Sequence, residues 1–147
     1  MKGDRPLAVI DSSVAVKWVL HEPGRDQSLQ LLDAYESAAL TLIAPSLLLA
    51  EVGSVLSKRC RRKQLTTTQA REAFRLFEVR APVLIDMREQ MSSALELSLV
   101  HQLAIYDCLY LALAIENGCD LVTADERFYS GIFRAYPFVR LLGEDGR

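Results

Sequence analysis

The sequence predicts an α/β fold in which helices cover one sheet of four or five mostly parallel strands. Short apolar runs, typical of buried strands, alternate along the chain with longer segments whose apolar residues recur at helical spacing. Two of these runs lead into an acid, Asp11 directly and Asp125 after one alanine. Because ligands bind outside the carboxyl ends of parallel strands, both acids are expected at one edge of the sheet. With no internal repeat or linker, residues 1–147 are expected to form a single domain.

The first part of the chain is predicted to contain three strands and four helices. Ser12 or Ser13 can cap the first helix, and the Glu-Pro-Gly segment at 22–24 ends it. Pro45 suits the first turn of a later helix. The predicted order is strand 7–10, helix 12–20, helix 25–40, strand 42–44, helix 45–63, helix 68–80 and strand 83–85.

The remainder of the chain is predicted to contain three helices and two strands. Apolar residues at helical spacing indicate helices 88–101 and 106–117, and Gly118 is placed to form the C-terminal cap of the second. The order is completed by strand 121–123, helix 126–135 and strand 138–142.

The composition is that of a folded protein that does not span a membrane. Half of the 147 residues are hydrophobic and 24% are charged, and no apolar run approaches the roughly 20 residues of a membrane span. Residues 1–6 lead into only four apolar residues before Asp11, so no secretory signal and a cytoplasmic location are expected. The three cysteines form no CxxC pair and are expected to be packing residues. With only two histidines, hydrolytic chemistry must depend on carboxylates.

Four acids are the candidates for that chemistry: Asp11, Glu51, Asp107 and Asp125. Each has a structural alternative, because Asp11 and Asp125 can cap helices and Asp107 can stabilise a helix N-terminus. Glu51 lies among apolar helical neighbours, where a carboxylate must be solvated, paired or bound to metal. Together the four acids predict an oxygen-ligand site for a divalent cation, with hydrolysis of a phosphodiester as its chemistry. Outside them, 17 basic residues stand against 15 of the 19 acids, so the net charge of −2 does not exclude a polyanionic substrate.

Four segments together resemble the PIN domain family, specifically the VapC toxins of VapBC toxin–antitoxin pairs. They are VIDSS at 9–13, APSLLLAEV at 44–52, IYDCLYLALA at 105–114 and LVTADERF at 121–128. The resemblance implies an α/β/α sandwich with Mg²⁺- or Mn²⁺-dependent endoribonuclease activity on tRNA or a ribosomal RNA loop. It assigns catalysis and metal binding to Asp11, Glu51, Asp107 and Asp125, supported by Ser12 and Thr123. It also implies a VapB-type antitoxin, a homodimer, and promoter DNA bound only through the antitoxin.

Basic residues are the candidates for contact with RNA. The candidates for contact with the RNA backbone are Lys17, Arg59, Arg62 and Arg127. Residues 58–63 carry five positive charges at the end of the Glu51 helix. The structural alternative is that cations stabilise a helix C-terminus. Trp18 is expected in the core or at a partner interface rather than stacked on a base.

Three other functions are alternatives to this interpretation. A haloacid-dehalogenase-like phosphatase needs a second aspartate where this chain has Ser13, and a phospho-acceptor receiver domain needs paired acids that are not evident. The serious alternative is a non-catalytic PIN-like binding module that acts as an antitoxin-docked transcriptional regulator. The complete set of four acids favours the enzyme.

Overall fold

Five short strands form one sheet in the order β3-β2-β1-β4-β5, and every neighbouring pair is parallel. The structure is a computed structural model that describes residues 5–144, so the expectation about a leader, which depends on residues 1–4, lies outside the described residues. The strands are β1 (Leu7–Ile10), β2 (Thr41–Pro45), β3 (Val83–Ile85), β4 (Asp120–Thr123) and β5 (Val139–Leu141). The predicted α/β class is therefore confirmed, with five parallel strands.

Seven α-helices lie in the described part of the chain. They are α1 (Ser12–Ala15), α2 (Arg25–Glu36), α3 (Leu47–Arg61), α4 (Thr67–Arg80), α5 (Met91–His101), α6 (Ile105–Asn117) and α7 (Glu126–Ile132). Two 3₁₀ turns, Val16–Trp18 and Met87–Gln90, follow α1 and precede α5. The chain has the α/β/α arrangement in which helices cover a parallel sheet.

Helix α6 and the central strands form the core. Residues 108–114 of α6 are all buried, and the helix packs against β1, β2 and β4. A helix buried on all sides must be apolar on all sides, which explains its unbroken apolar run. Gly118 ends α6 in the left-handed conformation, with φ of 59°, as the sequence predicts. Trp18 is buried, and its ring nitrogen donates to the Ser28 carbonyl at 3.1 Å, so the core interpretation is confirmed.

Several predicted element ends were wrong. The first helix is capped by Asp11 rather than by Ser12 or Ser13, and it ends at Ala15, where a 3₁₀ turn follows, rather than near residue 20. Helix α2 ends at Glu36 rather than near residue 40, because Ala38 adopts φ of 65° and turns the chain towards β2 without a glycine to signal it. Pro45 lies at the end of β2, paired with Ile85, rather than in the first turn of α3. The last helix stops at Ile132 instead of residue 135.

The remaining expectations concern cysteines and membrane spans. All three cysteines are unpaired, and Cys108 is buried in α6. Within residues 5–144, no single helix is long and apolar enough to cross a bilayer, although Met87–His101 and Ile105–Asn117 reach that length and hydropathy as a pair bent by 116°.

Candidate functional site

The site predicted from the sequence lies where the strand order reverses. From β1 the chain builds β2 and β3 on one side of the sheet, then crosses to place β4 and β5 on the other. Asp11 directly follows β1, and Asp125 follows β4 after one alanine. The Asp11 amide also contacts the carbonyl of Val122 on β4 at 3.4 Å. In open parallel sheets, the crevice at such a reversal is the usual place for a ligand.

Asp11 caps α1 and is buried with 8% of its surface exposed. Its Oδ1 accepts hydrogen bonds from the Ser13 hydroxyl at 2.5 Å and from the amides of Ser13 and Val14 at 3.1 and 3.4 Å. Burial raises the pKa of Asp11 from its usual 3.8 to about 6, although the hydrogen bonds oppose the rise; the charge of Asp107 adds to it. The carboxylate is therefore ionised at a cost, which a bound cation would offset.

Ser13 joins the β1–α1 junction to the β4–α7 junction. Its hydroxyl oxygen accepts from the Ala124 amide at 2.8 Å and lies 3.3 Å from the Thr123 hydroxyl, in addition to its bond with Asp11. The Thr123 hydroxyl in turn accepts from the Asp125 amide at 3.1 Å. The sequence analysis named Ser12 and Thr123 as supporting residues, but Ser13 is the serine bonded to Asp11. The signal was present, because a serine two residues after an aspartate can donate back to its carboxylate.

Asp125 caps α7, with Oδ1 accepting from the Phe128 amide at 3.0 Å. The capping alternative therefore holds for both Asp11 and Asp125. Capping and metal binding are compatible, because these hydrogen bonds use Oδ1 of each carboxylate and a cation can bind Oδ2.

Glu51 lies on α3 and is fixed by a tyrosine that the sequence analysis missed. The Tyr110 hydroxyl donates to Oε1 of Glu51 at 2.5 Å, from a side chain that is 1% exposed. Burial, followed by the charge of Glu51, raises the pKa of Tyr110 above its usual range, so the hydroxyl stays neutral and donates. Tyr110 stands three residues after Asp107, on the same face of α6, and that spacing was the available signal.

Asp107 is the electrostatic centre of the four acids. It lies in the first turn of α6 and is partly buried. Burial raises the pKa of Asp107 from its usual 3.8 to about 6, and the charges of Asp125 and Glu51 add to the rise. The charge of Asp107 in turn contributes to the raised pKa of Asp11. The fold therefore brings the other three carboxylates, from three separate parts of the chain, within reach of the charge of Asp107.

The chemistry of these groups fits a hard divalent cation, since all four offer carboxylate oxygens. Among residues 5–144, however, no three His, Cys, Asp or Glu side chains are already arranged to hold one ion together. The hydrogen bonds at Asp11, Asp125 and Glu51 each commit one oxygen to the protein. Mg²⁺ needs only one or two carboxylates when water and a phosphate complete its shell, so the spacing is compatible with that ion.

The basic candidates divide into two pairs. Lys17, in the 3₁₀ turn after α1, and Arg59, in α3, both contact the carboxylate of Glu22, Lys17 at 3.2 Å. One acid therefore pairs with two cations. Their first role is therefore structural. Arg62 and Arg127 are exposed. Arg62 follows Glu51 by eleven residues along and just beyond α3, a separation of roughly 16 Å.

Topology and acids together define an α/β protein with a carboxylate site at the reversal of a parallel sheet. The PIN domain family model matches residues 8–131, and the chain therefore belongs to the PIN domain family. No curated protein matches the chain by sequence.

Three solved structures share the fold. PAE2754 from Pyrobaculum aerophilum is 20% identical with a TM-score of 0.66, and the match covers 87% of each chain. VapBC2 from Rickettsia felis, bound to a DNA fragment from its promoter, is 20% identical with a TM-score of 0.65, covering 92% of this chain and 96% of that one. The sarcin–ricin loop cleaving toxin VapC20 from Mycobacterium tuberculosis is 14% identical with a TM-score of 0.62, covering 85% and 95%.

Proposed function

We propose that this PIN domain is a VapC-type toxin, a metal-dependent endoribonuclease whose single domain carries the whole activity. The observation that carries the proposal is the mutual influence of Asp11, Glu51, Asp107 and Asp125, centred on Asp107. Carboxylates held at this cost to the fold are typical of functional sites. The four-part resemblance to VapC sequences adds the reaction class.

Each carboxylate has a role in this proposal. Asp11 and Asp107, the two acids with raised pKa values, hold the cation, while Asp125 and Glu51 complete the ligand set directly or through water. When bound, Mg²⁺ or Mn²⁺ supplies positive charge to the phosphodiester and lowers the pKa of an attacking water. Tyr110 orients Glu51, and Ser13 with Thr123 orients Asp11. The protein thereby fixes the direction of its carboxylates before substrate arrives.

We propose structured RNA, a tRNA or a ribosomal RNA loop, as the substrate. The similarity in fold to a toxin that cleaves the sarcin–ricin loop supports this class. Backbone contacts are assigned to Arg62 and Arg127, which are exposed, with a smaller share for Lys17 and Arg59 because Glu22 already binds them. Attraction of RNA is then local, since the chain as a whole is acidic.

The partner we propose is a VapB-type antitoxin in the cytoplasm. The VapBC2 complex of similar fold is bound to a fragment of its promoter, and this supports contact with promoter DNA through the complex. For this chain we assign the DNA contact to the antitoxin, because the acidic surface around Asp107 repels phosphate when no cation is bound.

We also propose a homodimer formed through α5. This helix has apolar residues on two faces: Ala94 packs inward, while Met91, Leu95 and Leu99 are 40%, 49% and 64% exposed. The three exposed residues are four apart, so they form one stripe. In an antiparallel pair centred on Leu95, Met91 of one copy faces Leu99 of the other, and the stripe is complementary to itself, as a two-fold interface requires.

The second candidate function is a non-catalytic binding module. It is favoured by one observation, that no three acids among residues 5–144 are arranged to hold an ion together. Cleavage that requires the cation distinguishes the two functions, because a pure binding module has no such requirement.

The test is cleavage of total RNA and of a tRNA pool by the purified protein, with Mg²⁺ or with EDTA. We compare Asp107→Asn with Asp33→Asn, which makes the same change on the exposed face of α2. The nuclease is supported if cutting requires Mg²⁺ and survives in Asp33→Asn. Cutting should also be reduced at least 100-fold in Asp107→Asn. Cutting that persists in Asp107→Asn contradicts the assigned site, and no cutting by wild type with any divalent cation favours the binding module.

A further inference from the structure

A groove of about 390 Å³ lies beside the four acids. One wall is a single face of α3, since its lining residues from that helix recur at spacings of three and four: Leu47, Ala50, Glu51, Ser54 and Val55. Ser12, from the first turn of α1, and Tyr106, from the first turn of α6, complete the lining. Glu51 thus belongs both to the acid group and to the groove, so a ligand in the groove can contact one of the four acids directly, and Ser12 and Tyr106 are the sequence neighbours of Asp11 and Asp107.

Tyr106 is the most exposed aromatic side chain on this surface. It is 56% exposed, although the next turns of α6, residues 108–114, are entirely buried. It immediately precedes Asp107, the centre of the acid group, and four residues later Tyr110 holds Glu51. An aromatic ring in this position is not required by the core, because α6 is anchored by its buried residues.

We propose that this groove, the Tyr106 groove, binds the nucleobase adjacent to the scissile phosphate and that Tyr106 stacks on that base. The inference deepens the proposed function and rests on it. Tyr106 then acts as a substrate-binding residue that determines where the RNA is held. The acids act on the phosphate next to it.

The charge of the groove selects a base over a phosphate. Glu51 is its one ionisable acid and Asp107 lies next to it, so a phosphate placed in the groove is repelled. The apolar carbon surface of Leu47, Ala50 and Val55 favours a neutral, planar ligand. Such a ring can stack on Tyr106, because single-stranded RNA presents splayed bases to aromatic side chains.

The polar atoms of the groove suit the edge of a base. The hydroxyls of Ser12 and Ser54 can each donate or accept a hydrogen bond, and the Glu51 carboxylate can accept from an amino or imino N–H. Because Tyr110 already holds Oε1 of Glu51, the carboxylate is presented in a fixed direction. A base with a free N–H donor is therefore preferred over a purely apolar ligand of the same size.

The test uses a short single-stranded RNA in which one base is fluorescent 2-aminopurine. Binding is measured with full-length protein in Ca²⁺, which takes carboxylate oxygens as ligands and offsets the charge of the acids, and the RNA is checked for cleavage after the titration. Tyr106→Leu removes the stacking ring, Tyr106→Phe keeps it, and Ala50→Phe fills the groove from α3 without altering an acid. Loss of one stacked base is expected to weaken binding roughly 5- to 150-fold in Tyr106→Leu and Ala50→Phe, with Tyr106→Phe close to wild type.

Cleavage with Mg²⁺ provides the second readout. Tyr106→Leu is expected to raise KM more than it lowers kcat, whereas loss of an acid lowers kcat. Equal binding and equal KM for wild type and Tyr106→Leu would overturn the proposal. The proposal would also be overturned if Tyr106→Leu bound RNA normally but no longer bound a purified antitoxin, because the groove would then be a protein-binding site. If wild type binds the RNA through Tyr106 but never cleaves it, the proposed nuclease fails and the base-binding groove stands.

Discussion

At the scale of single residues, Asp11 is a carboxylate that its own fold disfavours. Its pKa is raised from 3.8 to about 6, chiefly by burial. Well below pH 3.8 the acid is protonated in both the folded and the unfolded chain, so it does not affect stability. Between pH 4 and 6 the unfolded chain releases the proton and the folded chain keeps it, so stability falls as pH rises through this window and stays lower above it.

Asp11→Asn is therefore expected to stabilise the protein at pH 7. The gain is up to about 3 kcal/mol for a shift of this size, and asparagine caps helices as well as aspartate does. Urea unfolding in EDTA measures it at pH 7 and at about pH 3, well below the unfolded pKa, where the gain should nearly vanish. Asp33→Asn is the control and should change stability by less than about 0.5 kcal/mol at either pH. An Asp11→Asn protein less stable than wild type at pH 7 contradicts the burial argument.

Tyr110 allows a similar comparison for a hydrogen bond. Tyr110→Phe removes a donor to the Glu51 carboxylate, and a bond to a charged group contributes about 1.5–3 kcal/mol. Tyr35→Phe removes the same hydroxyl from a bond to the neutral Ala81 carbonyl, worth about 0.5–1.5 kcal/mol. Chemical denaturation should find the Tyr110 variant less stable than the Tyr35 variant. Equal losses would mean that Glu51 is held by something else.

At the scale of elements, the junctions after β1 and β4 carry both the fold and the site. Ser13 is the contact between them, through Asp11 on one side and the Ala124 amide on the other. Ser13→Ala leaves that amide without its acceptor and should cost about 1–3 kcal/mol.

Ser12→Ala is the matched control, since Ser12 is the neighbouring serine and lines the Tyr106 groove instead. Its unfolding free energy should stay within about 0.5 kcal/mol of wild type. The two variants also decide which serine supports the acids, because the sequence analysis assigned that role to Ser12. A loss in Ser12→Ala and none in Ser13→Ala would reverse the assignment made from the contacts.

Sequence periodicity predicted the elements well and their ends less well. Buried strands and the apolar helix α6 follow from which residues must leave water, and this information is local. The turn at Ala38 was missed because nothing local requires an alanine to adopt positive φ; the path into β2 requires it. Pro45 fits either a strand end or a first helical turn, and its pairing with Ile85 decides between them.

The same limit applies to the candidate site. Asp11 and Asp125 could be placed at one sheet edge because strand ends are local features and the parallel sheet supplies the rest. Ser13 and Tyr110 depend on contacts across 111 and 59 residues of sequence, which periodicity does not contain. Both residues lie within three positions of a candidate acid, so the sequence places them near the site without showing the contact.

At the scale of the whole molecule, the basic cluster and the apolar stripe lie on different helices. The basic residues cluster at the end of α3, whereas the exposed stripe on α5 contains no charged residue. In the proposed function the end of α3 contacts RNA backbone and the four acids act on it, while α5 is assigned to the dimer. The exposed stripe is costly for an isolated chain, which supports its burial by a second copy.

Leu95→Glu is expected to convert the dimer to a monomer. The two-fold axis of the proposed pair passes near Leu95, so the variant places two carboxylates opposite each other in an apolar contact. Sedimentation velocity should report a fall from twice the 16.5 kDa of one chain to a single chain. Val79→Glu makes the same change at an exposed residue of α4 and should leave the dimer intact. Circular dichroism should show both variants folded, because neither side chain is buried in the monomer. A wild-type protein that is monomeric at high concentration, or a Leu95→Glu protein that remains a dimer, rules out α5 as the interface.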